Sequence, residues 1–140
     1  MEKEVSVKVI GYGDLTDSDK VVTTALGRFY EKDGKSYVFY ELPDENNPKV
    51  IVKHKLLLGA NSLELTKTSQ GIKSEVKYIP GKTTSSKYAT PYGILDLDFK
   101  TKKLGIENNE ETLIIELSYD IMMGADVLSS NNLRIELTEV

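Results

Sequence analysis

Strict two-residue alternation through the C-terminal half is what most limits the folds open to this chain. Leu95, Leu97 and Phe99, then Leu113, Ile115, Leu117, Tyr119 and Ile121, then Leu133, Ile135 and Leu137 each form an alternating set bounded by turn residues. Side chains of a strand return to one face every second residue, so these sets read as half-buried antiparallel strands. The N-terminal half continues the pattern: Val5, Val7 and Val9 alternate with Ser6 and Lys8 and end near Gly11, Tyr12 and Gly13.

Residues 21–31 carry two periodicities. Val22, Leu26, Phe29 and Tyr30 sit at helical spacing, with Asp17 or Ser18 as caps, yet Val21, Val22, Thr23 and Thr24 form a β-branched run. Gly27 would weaken a helix interior by about 1 kcal/mol relative to alanine, so a strand is expected. Asp33-Gly34 is the clearest hairpin signal, because a twist-matched two-residue turn needs positive φ at both positions. Further breaks fall at Asp44 to Pro48, at Gln70-Gly71, at Pro80-Gly81, at Asn108-Asn109 and at Gly124, and the Thr/Ser-rich segment Lys82 to Ser86 suits an exposed edge. About ten short strands with short connections predict an all-β, single-domain antiparallel barrel over residues 1–140, mostly an up-and-down meander, in which closure removes the exposed edges.

The chain has 140 residues, long enough for a core that buries about 70% of the unfolded surface without disulfides. It has no cysteine and one histidine, His54, which excludes thiolate zinc sites, a cysteine nucleophile and multi-histidine metal sites. No cofactor is implied. Eighteen basic and 22 acidic residues are spread evenly, with no global field for phosphate backbones or anionic lipid. The one basic concentration, Lys100, Lys102 and Lys103, reads as solvated charge at a hairpin tip, and neither nucleic acid nor membrane is an expected partner. Apolar runs such as Leu56-Leu57-Leu58 fall far short of a membrane span, and the N-terminus lacks a basic and apolar leader, so a cytoplasmic location is expected.

The order Gly27, Tyr30-Glu31-Lys32-Asp33-Gly34, Tyr37, Tyr40-Glu41, Gly71 and then Tyr88-Ala89-Thr90-Pro91-Tyr92-Gly93 resembles the YwiB-like family of uncharacterised bacterial proteins over nearly the full chain. The resemblance implies a calycin-like, lipocalin-like barrel and no established activity. The chain departs from the family pattern between Lys53 and Ser62, where Leu56 to Ala60 is longer and more apolar.

Five residues are candidates for lining a ligand site: Arg28, Tyr40, Tyr88, Tyr92 and Tyr119. Arg28 follows Val22, Thr24 and Leu26 in strand phase, so an inward face would carry a guanidinium suited to a carboxylate or phosphate. The competing reading puts a bulge at Gly27, which flips the phase and leaves Arg28 in solvent. Thr90-Pro91-Tyr92-Gly93 reads first as a structural corner, and as a barrel-mouth corner it would offer the hydroxyls of Tyr88 and Tyr92. Tyr40 is in phase with Val38 and Leu42, and Tyr119 with its apolar neighbours, so both hydroxyls need partners if buried.

No nucleophile elbow surrounds His54, Asp96 and Asp98 lie opposite Leu95 and Leu97 on the solvent side, and Asp14, Asp17 and Asp19 lack the spacing of a calcium loop. The leading functional reading is a non-enzymatic barrel whose interior or mouth accepts a small amphipathic or anionic molecule. Second comes a protein-interaction or self-assembly module, including a homo-oligomer, that uses the Lys82 to Ser86 edge or the Leu56-Leu57-Leu58 stretch. An enzyme ranks third, and would need His54, Arg28 or carboxylates to converge in one pocket.

Overall fold

The structure is a computed structural model that describes residues 2–13, 20–44, 47–90 and 93–140. Ten strands follow one another: β1 (Glu2–Gly13), β2 (Val21–Lys32), β3 (Lys35–Pro43), β4 (Ile51–Leu58), β5 (Leu63–Ser69), β6 (Ile72–Tyr78), β7 (Thr83–Thr90), β8 (Gly93–Asn108), β9 (Thr112–Met123) and β10 (Asp126–Glu139). They form one antiparallel sheet of order β6-β5-β4-β3-β2-β1-β10-β9-β8-β7, curled into a nearly closed barrel. Among the described residues there is no helix, and residues 21–31 are strand. Two meanders, β1 to β6 and β7 to β10, are joined by the β1 to β10 ladder, in which Val7 stands opposite Leu137 and Val9 opposite Ile135.

The turns follow from their residues. Asp33 (φ 53°) and Gly34 (φ 76°), like Gln70 (φ 51°) and Gly71 (φ 78°), occupy the left-handed region at both central positions, as the twist of a two-residue hairpin requires. In Ile79-Pro80-Gly81-Lys82, Pro80 presets its own φ, Gly81 takes φ 78°, and the Lys82 N–H donates to the Ile79 carbonyl at 3.0 Å. β4 and β5 pair without interruption from Lys53 opposite Thr68 to Leu58 opposite Leu63, so the unusually apolar stretch is absorbed without a slip. Leu56 and Leu58 are buried and Leu57 is half-buried, which removes this stretch as an exposed partner surface.

Alternation fills the inner wall. Val38, Leu56, Leu65 and Val76 face one another across β3 to β6 and are all buried, and Ile115, Ile135 and Val7 continue the same core. Removing such side chains from water is the main favourable term of the fold. Gly27 is buried on this wall with the Phe39 carbonyl, Val7 and Tyr40 pressed against the place where a side chain would start.

Lys100, Lys102 and Lys103 are not a hairpin tip. They lie within β8, where the pairing with β9 shifts between Thr101 and Lys103, and the extra residue sends Lys102 toward Asp120 at 3.1 Å. The exposed charges misled because a bulge and a turn leave the same gap in alternation. Thr101 stays on the inner wall, 1% exposed, and its hydroxyl has no hydrogen-bond partner.

Closure is incomplete at one seam. β6 and β7 are the two ends of the sheet order, and no ladder joins them. They are held by side chains instead: Thr84 Oγ1 donates to the Lys77 carbonyl at 2.6 Å and Ser86 Oγ donates to the Glu75 carbonyl. Tyr78 of β6 also packs across the seam on Phe99 of β8 and Tyr119 of β9, with ring centroids 6.1 and 4.9 Å apart.

Candidate functional site

The inner wall carries one departure from apolar residues that spans four adjacent strands. Tyr40 pairs with His54, His54 with Lys67 and Lys67 with Ser74, so a single register row crosses β3, β4, β5 and β6 as tyrosine, histidine, lysine and serine. Directly opposed residues project to one face, and Tyr40 and Ser74 are buried while His54 and Lys67 are half-buried, which places the row on the inner wall. Two residues further in lie Val38, Leu56, Leu65 and Val76; two residues further out lie Leu42, Val52, Ser69 and Ile72. The polar row is therefore sandwiched between the packed core and a mainly aliphatic lip, of which Ile72 is 47% exposed.

Burial sets the chemistry of the row. The His54 ring stacks on Tyr40 with centroids 4.7 Å apart, and its Nδ1 lies 3.2 Å from the Val52 carbonyl, which fixes the proton on Nδ1. Burial, with the nearby Lys67 charge, lowers the His54 pKa to about 4, so the ring is neutral at pH 7. Burial likewise pushes the Tyr40 phenol well above its ordinary range and keeps it protonated. The row thus combines one ammonium, two hydroxyls and a neutral imidazole, a set suited to holding an anion rather than to generating a nucleophile.

The sign of the His54 shift gives a stability test. Its folded pKa lies below 6.5, so the unfolded chain takes up the proton first as pH falls, and stability is lost between pH 6.5 and about 4. Urea denaturation at pH 7 and pH 5 is expected to show a loss of about 1–2 kcal/mol from this group, largely absent in His54→Phe. Equal losses in the two proteins would mean that His54 is solvated in the folded state.

Of the five residues read as ligand-lining, Tyr40 joins the row. Tyr119 is on the inner wall but packs with Tyr78 and Phe99, away from the row on the far meander. Arg28 corrects the reading that turned its face inward. Its side chain is 76% exposed, and it pairs with Glu2 at 3.3 Å on the outer wall. No bulge at Gly27 puts it there, since the β1 to β2 register runs unbroken from Glu2 opposite Tyr30 to Gly11 opposite Val21. The inner face of β2 is the other one, with Ala25, Gly27 and Phe29, whose small residues hid it in the sequence. Tyr92 lies outside the described residues, as does Pro91, and of Tyr88 only the backbone in β7 is described. Arg28 and His54 are on opposite faces of the wall, and Asp98 accepts the Ser85 hydroxyl at 2.6 Å on the outside, so these groups do not converge.

Lys67 and Ser74 were missed. Their signal was present: Leu63-x-Leu65-x-Lys67 and Ser74-x-Val76-x-Tyr78 are inward phases in which one polar residue replaces an apolar one, as His54 does beside Leu56 and Leu58. Only the register shows that these interruptions fall on one row.

Clefts among the described residues include these two. One of about 130 Å³ lies between the start of β1 and the β8–β9 hairpin, rimmed by Glu31, Glu110, Glu111 and Glu139. The other, of about 330 Å³, opens on the seam between Lys73 and Glu75 of β6 and Ser85, Ser86 and Lys87 of β7. Phe99, Leu56, Leu63, Ile115 and Ile135 are among the side chains that fill the barrel centre.

Comparison with known proteins adds the fold and the family. Residues 7–135 match the family model described as a domain of unknown function, DUF1934. An uncharacterized beta-barrel protein, YwiB, of Bacillus subtilis is 29% identical over 110 residues, covering 78% of this chain and 74% of that protein. The crystal structure of the ywiB protein from Bacillus subtilis superposes with a TM-score of 0.79 at 21% identity, over 99% of this chain and 93% of that one. No helix among the described residues is long and apolar enough to cross a membrane.

Proposed function

We propose that the chain, which belongs to the DUF1934 family, is a non-enzymatic module that holds a small amphipathic anion at the barrel mouth, in a lipocalin-like manner. The observation that carries this reading is the inward-facing Lys67 in one row with Tyr40, His54 and Ser74, just below an aliphatic lip. An anion at the row accepts a charge-assisted bond from Lys67, with the Tyr40 and Ser74 hydroxyls as further donors. The apolar part of the guest lies against Leu42, Val52 and Ile72, two residues outward on the same strands. With His54 neutral, Lys67 is the cation of the row, so the site prefers anions to cations and loses that preference with Lys67 alone.

The fluorescent anion 1-anilinonaphthalene-8-sulfonate serves as the probe. We expect saturable binding that decanoate displaces and decylamine does not, weakened about tenfold in Lys67→Met, in keeping with the loss of one charge-assisted bond. Unchanged affinity in Lys67→Met, or equal displacement by decylamine, would overturn the reading.

A further inference from the structure

We propose that the β6–β7 seam is a strand-addition site for an extended segment of another protein, one that presents carboxylate, ammonium and carboxylate groups on alternate residues. The seam is the one junction between neighbours around the barrel, among the described residues, without a backbone ladder. The Glu75 and Lys77 carbonyls point into it, since they accept the Ser86 and Thr84 hydroxyls. In a strand the N–H and carbonyl of one residue point the same way, so the β6 edge offers its alternating donors and acceptors to whatever lies beside it. Two hydroxyls stand where a ladder would otherwise run. An added strand replaces them with backbone hydrogen bonds, the general basis of recognition by strand addition.

Position along the seam follows from packing. Near Tyr78 the strands are held together by the Tyr78, Phe99 and Tyr119 rings. Away from those rings the 330 Å³ cleft is lined by Lys73 and Glu75 on one side and by Ser85, Ser86 and Lys87 on the other, so the incoming segment enters there and displaces Ser86 first.

Charge selects the occupant. The solvent face of the β6 edge reads Lys73, Glu75, Lys77, with Lys73 and Glu75 paired at 2.7 Å, while Lys87 lines the opposite wall of the cleft. A second copy adding antiparallel about a two-fold axis at Glu75 would set Lys73 against Lys77 and Glu75 against Glu75. Every outward pair would be of like charge, which destabilises a ladder and protects this edge from its own kind. A segment with acid, base and acid on alternate residues reverses every one of those terms. The site is independent of the small-anion reading, because the charges that select the partner face solvent while Lys67 faces the barrel.

The test uses the full chain and a fluorescein-labelled octapeptide, Thr-Glu-Val-Lys-Val-Glu-Val-Thr, beside its charge-swapped counterpart, Thr-Lys-Val-Glu-Val-Lys-Val-Thr. Fluorescence anisotropy is expected to give saturable binding of the first and about tenfold weaker binding of the second. Ser86→Ala, which removes a competing hydroxyl without touching the core, is expected to tighten binding about fivefold. Hydrogen exchange in the complex is expected to slow at the amides of Lys73 to Lys77. Equal affinity for the two peptides, no saturation by about 1 mM, or protection confined to other strands would overturn the proposal, as would a peptide-free dimer protected at β6.

Discussion

Replacing Gly27 by valine is expected to destabilise the barrel by about 3 kcal/mol or more, read as a fall in the urea midpoint. A Cβ at this position would lie 2.7 Å from the Phe39 carbonyl oxygen, 2.9 Å from a Val7 methyl and 3.3 Å from the Tyr40 Cβ. The carbonyl belongs to the backbone of the neighbouring strand and cannot swing aside, so the β2 to β3 ladder itself must part. Propensity alone argues the other way, since valine is favoured over glycine in a strand by about 1 kcal/mol. Gly105 supplies the control: a Cβ there meets nothing within 4 Å, so Gly105→Val is expected to hold or raise the midpoint. If the two substitutions behaved alike, close approach at Gly27 would not be what the fold depends on.

Phe99→Ala is expected to cost about 3–5 kcal/mol and to act on the seam before the rest of the barrel. Phe99 is 2% exposed and lies edge-on to Tyr78, with Tyr119 beside both. These rings join the two meanders where the backbone ladder stops, so packing, with the Thr84 and Ser86 hydroxyls, replaces what a ladder does elsewhere. Native-state hydrogen exchange separates this from general loss of core. Phe99→Ala is expected to speed exchange in β6 and β7 selectively, whereas Leu56→Ala, of similar cost, sits between β3 and β5 in continuous ladders and is expected to speed exchange on the first meander. Uniform acceleration in both variants would show that the seam is no weaker than the ladders.

Much of this architecture was legible because its causes are local. Alternation in Leu113 to Ile121 and Leu133 to Leu137 needs only the pleat, and Asp33-Gly34 and Pro80-Gly81 need only their own φ preferences. Reading failed where the cause was distant. The inner face of β2 consists of Ala25, Gly27 and Phe29, and Gly27 carries no side chain where Val7, Phe39 and Tyr40 approach it from other strands. Judged by its own residues, the face with Val22 and Leu26 is the apolar one, which carries Arg28 inward unless a bulge at Gly27 flips the phase. Lys102 was misplaced for a related reason, since a bulge is a property of two strands and only one of them was in view. The candidate site shows the same limit. Tyr40, His54, Lys67 and Ser74 are separated by turns of different length, and only pairing puts them side by side.

The ladder between β1 and β10 sets the order in which this chain can be finished. Val5 finds Glu139, and the Val140 N–H finds the Glu4 carbonyl, only after the eight strands between β1 and β10 are present. While the chain is being synthesised, the first meander therefore stands as a six-stranded sheet with both edges bare, one at β1 and one at β6. Closing so long a loop carries an entropic cost that local hairpins do not, and contacts of this span slow folding. Bare edges in that interval invite pairing with other nascent chains. The lysines of β6 guard one of them throughout, whereas β1 must wait for its partner, so the interval before β10 emerges is when this protein is most exposed to aggregation.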